Sequence, residues 1–338
     1  MRFRTTLAAC IRRVGAALAF SLASAMAVQA QPIVMKIGTA TVNDAQHEWM
    51  KMYKERVEKA SNGKIKVDIY PASQLGSIPR MIEGLQLGTV EGFVSPTDFF
   101  VGVDPRFAVY GIPAMFNDRA QAITALQDSG VRQALMSLGE SRSIKGLSAF
   151  VLGTPAYLAR KPIRVLQDFK GQKLRINASE VERASVQALG AAATPMPLSE
   201  VIPALQTGVI DGTRSVPAVY VTLKYNDLAK AMTVTEDSYL VSYVAVSAAW
   251  LSALSPDLQR IVVDSARAME SEIQTWAAAY EDKMVAQWKT DGGEIIRLSA
   301  ADQAELMKRM GGVGEKVVKE RVALKPLYDQ LLGAAKRK

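Results

Sequence analysis

Few residues of this 338-residue chain have the types and spacing that catalysis requires. His47 is the only histidine, so a Ser-His-Asp triad or a histidine metal site would have to include it. It falls near the start of an ordinary amphipathic helical pattern, where a lone histidine is usually solvated. Walker-type phosphate loops, HExxH zinc motifs, EF-hand loops and Gly-x-Ser-x-Gly elbows are absent from the sequence. We therefore predict no enzyme activity, no catalytic residues, no cofactor and no metal site.

Two pairs of acidic residues could in principle perform acid–base chemistry. Glu180 lies two positions before Glu182, and Glu236 directly precedes Asp237. Neighbouring acids on a loop or helix face are more often only solvated than catalytic. We interpret both pairs as solvated.

The arginine of the segment KLRI, residues 173–176, is the strongest candidate for binding chemistry. Leu174 and Ile176 alternate with Lys173 and Arg175, which predicts a short strand with one buried face and Arg175 on the exposed face. A planar guanidinium donates two parallel hydrogen bonds to a carboxylate. Spacing alone leaves two interpretations, a carboxylate site between two lobes or an arginine on a solvent-facing strand edge.

The first thirty residues have the layout of a secretory signal peptide. Four arginines, at positions 2, 4, 12 and 13, precede an uncharged run over residues 14–28 that ends at Val28-Gln29-Ala30. The run is shorter than the roughly 20 residues of a membrane-spanning helix, so we expect cleavage after Ala30 and a periplasmic protein that does not span the membrane. Arg12-Arg13 leaves a twin-arginine export route open beside the general one.

Removal of this leader changes the cysteine and charge arguments. Cys10 is the only cysteine, so the mature chain would have no disulfide, thiolate nucleophile or cysteine metal site. Of 41 basic residues four lie in the leader, which leaves 37 against 33 acidic residues, a net charge of +4. Apart from Lys336, Arg337 and Lys338 there is no basic cluster, so we predict no nucleic-acid partner.

The mature chain begins with a β-α-β pattern and contains an internal repeat. A strand at residues 33–38, a helix capped by Asn43 or Asp44 and a strand at residues 65–69 form the pattern that builds parallel sheets. Residues 84–92 (GLQLGTVEG) and 204–212 (ALQTGVIDG) share one form, the last turn of a helix followed by a left-handed glycine and a strand. Two copies 120 residues apart indicate two similar α/β lobes.

Further elements are predicted from the same kinds of pattern. We expect strands at residues 146–153, 173–176, 241–247 and 293–298, helices at 180–189 and 256–289, and a short helix capped by Ser199. The absence of a low-complexity linker predicts a chain that crosses between the lobes more than once.

The order of several motifs resembles one transporter-associated family. The stretches are GKIKVDIYPASQLGS, EGLQLGTVEG, YGIPAMFND, KPIRVLQDFKGQKLRINAS, TPMPLSEVIPALQTGVIDG and LSPDLQRIV. Together they resemble the substrate-binding proteins of tripartite ATP-independent periplasmic (TRAP) transporters, of the DctP type, over essentially the whole mature chain. The resemblance implies a two-lobed α/β periplasmic binding protein of the type II-like class, with crossing hinge strands and a long interdomain helix.

The resemblance also implies a division of the chain and a set of ligand-binding residues. The first lobe would comprise residues 31–153 and 241–280, and the second residues 154–240 and 281–338. The arginine of the K-G-x-K-x-R motif, here Arg175, would hold the ligand carboxylate. The other implied or neighbouring site residues are Ser95, Pro155, Tyr157, Asn177, Leu198, Ser215 and Tyr239. The family's second motif is matched by Glu200, Gln206 and Asp211. For these three residues we expect structural roles at least as much as contact with the ligand.

The implied function is a receptor that delivers a small organic acid to the TRAP membrane permease subunits. Some acid-binding members carry a second arginine where this chain has Pro155, which predicts a monocarboxylate with an apolar or aromatic body rather than a dicarboxylate. A ligand-sensing module for a signalling receptor and a periplasmic enzyme using Glu200 and Arg175 are the alternatives. The ligand's identity, an accompanying cation and the oligomeric state stay open.

Overall fold

The computed structural model describes residues 31–336. The predicted leader with its cleavage after Ala30, Cys10, Arg337 and Lys338 lie outside the described residues. Within the described range, no helix is long and apolar enough to cross a membrane.

Eleven strands and twelve α-helices make up the described part of the chain. The strands are β1 Ile33–Thr39, β2 Ile65–Tyr70, β3 Gly92–Pro96, β4 Ile144–Gly153, β5 Ala156–Ala159, β6 Lys173–Ile176, β7 Ala192–Pro195, β8 Gly212–Ser215, β9 Ala231–Val234, β10 Leu240–Ser247 and β11 Glu294–Arg297. The helices are α1 Ala45–Ala60, α2 Ile78–Leu87, α3 Arg119–Gln127, α4 Ser129–Ser137, α5 Glu180–Ala188, α6 Leu198–Thr207, α7 Pro217–Thr222, α8 Ala248–Ala253, α9 Pro256–Ala268, α10 Glu270–Thr290, α11 Ala300–Glu320 and α12 Lys325–Ala335.

The strands form two mixed sheets. The first sheet has the order β2-β1-β3-β10-β4, in which β3 runs parallel to β1 and antiparallel to β10. The second has the order β11-β9-β5-β8-β6-β7. Two apolar clusters cover the sheets, and each cluster draws residues from both, such as Phe93 with Leu174 and Ile37 with Leu158. This architecture confirms the predicted two-lobed α/β fold.

The chain passes between the two sheets at two neighbouring places. One crossing leads from Gly153 at the end of β4 to Ala156 at the start of β5, and the other from Val234 at the end of β9 to Leu240 at the start of β10. Gly153 pairs with Leu240 on one side, and Ala156 pairs with Val234 on the other. The predicted hinge of crossing strands is therefore present.

Helix α10 joins the two lobes and is bonded to the first crossing. It packs against β4 of the first sheet and against α7, which follows β8 of the second. The Gln274 side chain accepts from Val151 N at 2.9 Å and donates to Val151 O at 3.3 Å. Farther along the helix, Glu281 accepts from Thr154 N at 2.6 Å and pairs with Arg119. Side-chain hydrogen bonds thus couple the helix to the backbone at the hinge.

Two predicted elements differ from the observed ones. The helix expected at residues 256–289 is two helices, which a single turn residue, the fully buried Met269 with φ −96° and ψ −6°, separates into α9 and α10. This break has no proline or glycine signal. The short helix begins at Leu198 after Pro197, so Ser199 lies inside it and does not cap it.

The C-terminal helices contact different parts of the chain. Helix α11 packs against α5, and α12 packs against α3 and α4, which belong to the segment 31–153. The predicted lobe boundaries, which place all of residues 281–338 with the second lobe, stay a prediction.

The internal repeat has the predicted geometry in both copies. Gly88 ends α2 with φ 75°, and Gly208 ends α6 with φ 76°. In each copy a strand follows within a few residues, β3 in the first and β8 in the second. Both glycines occupy left-handed backbone that other residues adopt only with strain.

We expect Gly88→Ala and Gly208→Ala each to lower the free energy of unfolding by about 1 to 2 kcal/mol, because the Cβ atom of an L-residue is sterically strained in left-handed backbone. Gly311→Ala in α11 is the matched control, since its new methyl group would meet no atom within 4 Å and its backbone is helical. That change should raise stability by about 0.5 to 1 kcal/mol. Urea unfolding followed by circular dichroism measures all three, and a neutral Gly208→Ala would contradict the strain argument.

Candidate anion-binding site

Arg175 lies on β6, and its side chain is buried. Lys173 is exposed, but Leu174, Arg175 and Ile176 are all buried, and the residue Arg175 is only 1% exposed. The prediction of an exposed Arg175 is therefore wrong. Strand β6 lies between β7 and β8 inside the second sheet, and both of its faces are covered, so alternation along the strand does not translate into exposure.

The guanidinium of Arg175 is held by backbone carbonyls alone. Its Nε and Nη2 donate to Met196 O at 2.9 and 2.8 Å, and Nη1 donates to Arg214 O at 3.4 Å. The ring of Phe99 lies 5.9 Å from the guanidinium carbon. Among the described residues, no carboxylate lies within ion-pair distance, and burial lowers the pKa of Arg175. A buried cation without a counter-charge is unfavourable, so this site favours an anion.

Arg175 borders a cavity of about 20 Å³ between the two sheets. Its polar walls include Thr41, Gln46, Ser95, Arg175, Asn177 and Ser215. Its apolar walls include Ile78, Phe99, Leu152, Leu198, Val219 and Leu240. Arg175 is the only charged residue among the described residues that line it.

The predicted site residues fall into two groups. Arg175, Ser95, Asn177, Leu198 and Ser215 line the cavity.

Pro155, Tyr157 and Tyr239 are not among its lining residues. The ring of Tyr157 instead packs edge-on against Phe169, 4.9 Å away, and Tyr239 packs against one of the apolar clusters. The roles of all eight as ligand-binding residues stay predictions.

A second buried arginine, Arg214 on β8, pairs with two buried carboxylates. Its Nη1 donates to Glu182 at 2.7 Å, and its Nη2 donates to Asp237 at 3.2 Å and to Ser238 Oγ at 2.6 Å. Although burial disfavours its charge, Asp237 and Glu182 hold the pKa of Arg214 above its ordinary value. Its charge is therefore balanced by protein groups.

The interpretation of both acid pairs as solvated is correct for one member of each pair only. Glu236 is exposed and Glu180 is half-buried, and both form surface ion pairs, whereas Glu182 and Asp237 are buried beside Arg214. Local sequence cannot separate these cases, because the partner arginine lies more than twenty residues away in either direction.

Asp98 also belongs to this buried cluster. Burial, followed by the nearby charge of Glu182, raises the pKa of Asp98 to about 7, against the opposing effects of Arg214, Ser179 and Asn177. Its Oδ1 has no hydrogen-bond partner among the described residues. Asp98 follows β3 of the first sheet and Glu182 lies in the first turn of α5, which follows β6 of the second, so the two acids meet where the lobes touch.

The remaining candidates have structural or peripheral positions. Asp211 accepts a hydrogen bond from Lys173 N at 2.9 Å, and this bond joins the turn before β8 to the start of β6. Asp211 also forms an ion pair with Arg160. Glu200 and Gln206 are exposed. His47 accepts a hydrogen bond from Asn43 N through Nδ1, and partial burial lowers its pKa.

A two-lobed α/β fold with a buried guanidinium at an interlobe cavity is typical of solute-binding proteins. Residues 38–321 match the profile of DctP, bacterial extracellular solute-binding protein family 7, and the chain belongs to this family.

Individual relatives agree with this assignment. The chain is 33% identical over 293 residues to the C4-dicarboxylate-binding periplasmic protein DctP of Rhodobacter capsulatus, covering 85% of this chain and 87% of the relative. It is 29% identical over 254 residues to the 2,3-diketo-L-gulonate-binding periplasmic protein of Escherichia coli, covering 75% and 77%. A TRAP periplasmic solute-binding protein of Desulfovibrio salexigens with bound orotic acid superposes with TM-score 0.83 at 26% identity, covering 89% of this chain and 99% of that one.

Asp98 should make stability depend on pH near neutrality. A carboxyl group with a higher pKa in the folded than in the unfolded state takes up protons on folding, so its contribution to stability falls as pH rises from about 4 to about 7. Asp98→Asn cannot ionise. Relative to wild type, we expect this variant to become progressively more stable between pH 5 and pH 8.

Urea midpoints at several pH values measure this difference. Asp257→Asn is the control, because Asp257 is exposed and pairs only with the exposed Arg260. Parallel wild-type and Asp98→Asn profiles would show that Asp98 is ionised throughout.

Proposed function

We propose that this protein is the periplasmic solute receptor of a TRAP transporter, which binds a small organic carboxylate between its lobes and delivers it to the membrane permease. The observation that carries this proposal is the buried guanidinium of Arg175, which has only backbone acceptors and borders the interlobe cavity. Relatives named for binding C4-dicarboxylates and 2,3-diketo-L-gulonate support an acid as ligand.

The proposed mechanism is lobe closure around the ligand. A cavity of about 20 Å³ holds about one water molecule, so a carboxylic acid of several heavy atoms enters only when the lobes move apart. The ligand then contacts Arg175 from the second sheet and Ser95 from the first, and it stabilises the closed state by its higher affinity for that state. Gly153 to Ala156 and Val234 to Leu240 are the segments that would bend.

A monocarboxylate with an apolar or aromatic body fits the surroundings of Arg175 best. A dicarboxylate needs a second cation, and the neighbouring Arg214 is already neutralised by Glu182 and Asp237. Residue 155, where the family resemblance implies that some members carry another arginine, is a proline in this chain and has no side-chain donor. The apolar side chains on the cavity wall leave room for a hydrocarbon body once the lobes separate.

Arg175→Ala should weaken carboxylate binding by about 3 kcal/mol, on the order of 100-fold, because the anion would be buried without its partner. Arg175→Lys should restore little of the loss, since an ammonium group cannot supply paired donors. Calorimetry with a bound acid measures both.

Arg160→Ala is the matched control, because Arg160 lies outside the cavity and pairs with Asp211 at the surface. The proposal fails if Arg175→Ala binds as tightly as wild type while its melting temperature shows an intact fold.

Ligand selectivity is tested with a panel of acids. We expect branched or aromatic monocarboxylates to bind at least tenfold more tightly than succinate or malate, because the second carboxylate of a diacid would be buried without a cation. Isothermal titration of the ligand-free protein measures the series. Tight binding of succinate or malate with no binding of the monoacids would refute the monocarboxylate assignment and leave the receptor function intact.

A further inference from the structure

Gln46, in the first turn of α1, lines the cavity opposite the strand that carries Arg175. The residue is 2% exposed, and it belongs to the first lobe while Arg175 belongs to the second. Its Oε1 has no hydrogen-bond partner among the described residues. Leaving a buried amide oxygen without a hydrogen bond costs on the order of 1 to 3 kcal/mol of free energy. A hydrogen-bond donor on a ligand would remove this cost.

Neighbouring groups fix which way the amide of Gln46 points. Its Nε2 donates to Thr41 Oγ1 at 3.2 Å and lies 3.5 Å from Asp44 Oδ2. Asp44 is itself anchored, because its Oδ1 caps the helix by accepting from Gln46 N and His47 N. Two oxygen acceptors on one side hold the amide nitrogen, which leaves Oε1 as the free end.

Ser95 on β3 provides a second polar atom that lines the same cavity. Its hydroxyl is buried, lines the cavity and has no partner among the described residues. A serine hydroxyl both donates and accepts, whereas Gln46 Oε1 only accepts. A ligand hydroxyl can donate to Gln46 and accept from Ser95, a keto oxygen can only accept from Ser95, and a methylene group satisfies neither.

From this arrangement we infer that Gln46 and Ser95 form a hydroxyl-recognition subsite, so that the preferred ligand is a hydroxylated monocarboxylic acid. This inference rests on the proposed function, because Arg175 binds the ligand carboxylate while Gln46 accepts a hydrogen bond from a hydroxyl group elsewhere on the ligand. Gln46 is then the residue that decides specificity. A site built to bond a hydroxyl rejects the analogue that lacks it, because its own polar groups are left unpaired.

Matched pairs of acids that differ by one hydroxyl group test the subsite. The pairs are mandelate with phenylacetate, 2-hydroxyisocaproate with 4-methylpentanoate, and 3-(4-hydroxyphenyl)propionate with 3-phenylpropionate. Calorimetry on the wild-type protein gives the preference ratio for each pair. We expect the hydroxylated member of at least one pair to bind about tenfold or more tightly than its partner.

Gln46→Met keeps the length of the side chain and removes both amide groups. We expect it to reduce the preference ratio at least fivefold and to leave the affinity for the deoxy acid nearly unchanged. A purely structural role would weaken both members equally. Ser95→Ala should lower the same ratio, and melting temperatures check that each variant folds.

The outcomes separate the two levels of proposal. Equal binding of both members of every pair, or an unchanged ratio in Gln46→Met, overturns the hydroxyl subsite and leaves the carboxylate receptor standing. Binding of no acid at all, neither the paired monoacids nor succinate or malate, overturns the receptor function and the subsite together.

Discussion

A guanidinium group enclosed in protein without a counter-charge is the constraint around which the interlobe region is organised. Arg175 satisfies its donors with the carbonyls of Met196 and Arg214, which supply dipoles and no net charge. Backbone carbonyls remove the cost of unmade hydrogen bonds but only part of the cost of burying the charge. The remaining electrostatic demand can be met by an anion that enters from the cavity side.

The second arginine of the same sheet shows the contrasting solution. Arg214 pairs with Glu182 and Asp237, and its guanidinium also lies 5.6 Å from the ring of Tyr157. Such a buried network gains little stability over an apolar core, but it specifies which segments meet. Here it joins β8, the start of α5 and the segment before β10, and Asp98 brings in the first sheet.

The ionisation of Asp98 affects the charge of this cluster. Arg214 already pairs with the carboxylates of both Glu182 and Asp237. An ionised Asp98 would add a third negative charge beside Glu182, which is the cause, after burial, of its raised pKa. Glu182 and Asp237 are bonded to Arg214, so Arg175 has no ion-pair partner among the described residues.

The sequence by itself determined the local elements and the class of fold. Helix-glycine-strand junctions at Gly88 and Gly208, the cap at Asp44 and the apolar run of β10 follow from backbone conformation and hydropathy within a few residues, so they could be predicted. Arg175 could be selected for its chemistry. Its burial could not, because exposure on a strand depends on what covers each face.

Only the tertiary structure decided the electrostatics of the site. Glu180 and Glu182 are near-identical in sequence context, yet one is half-buried and forms a surface pair with Arg321, and the other is buried beside Arg214. The environment of Gln46 is likewise a tertiary property. Its amide nitrogen bonds to Thr41 and Asp44, which leaves the amide oxygen free, and residues of both lobes line the cavity beside it. Charge, burial and hydrogen-bond satisfaction are properties of residues brought together from distant parts of the chain, and local sequence patterns do not contain them.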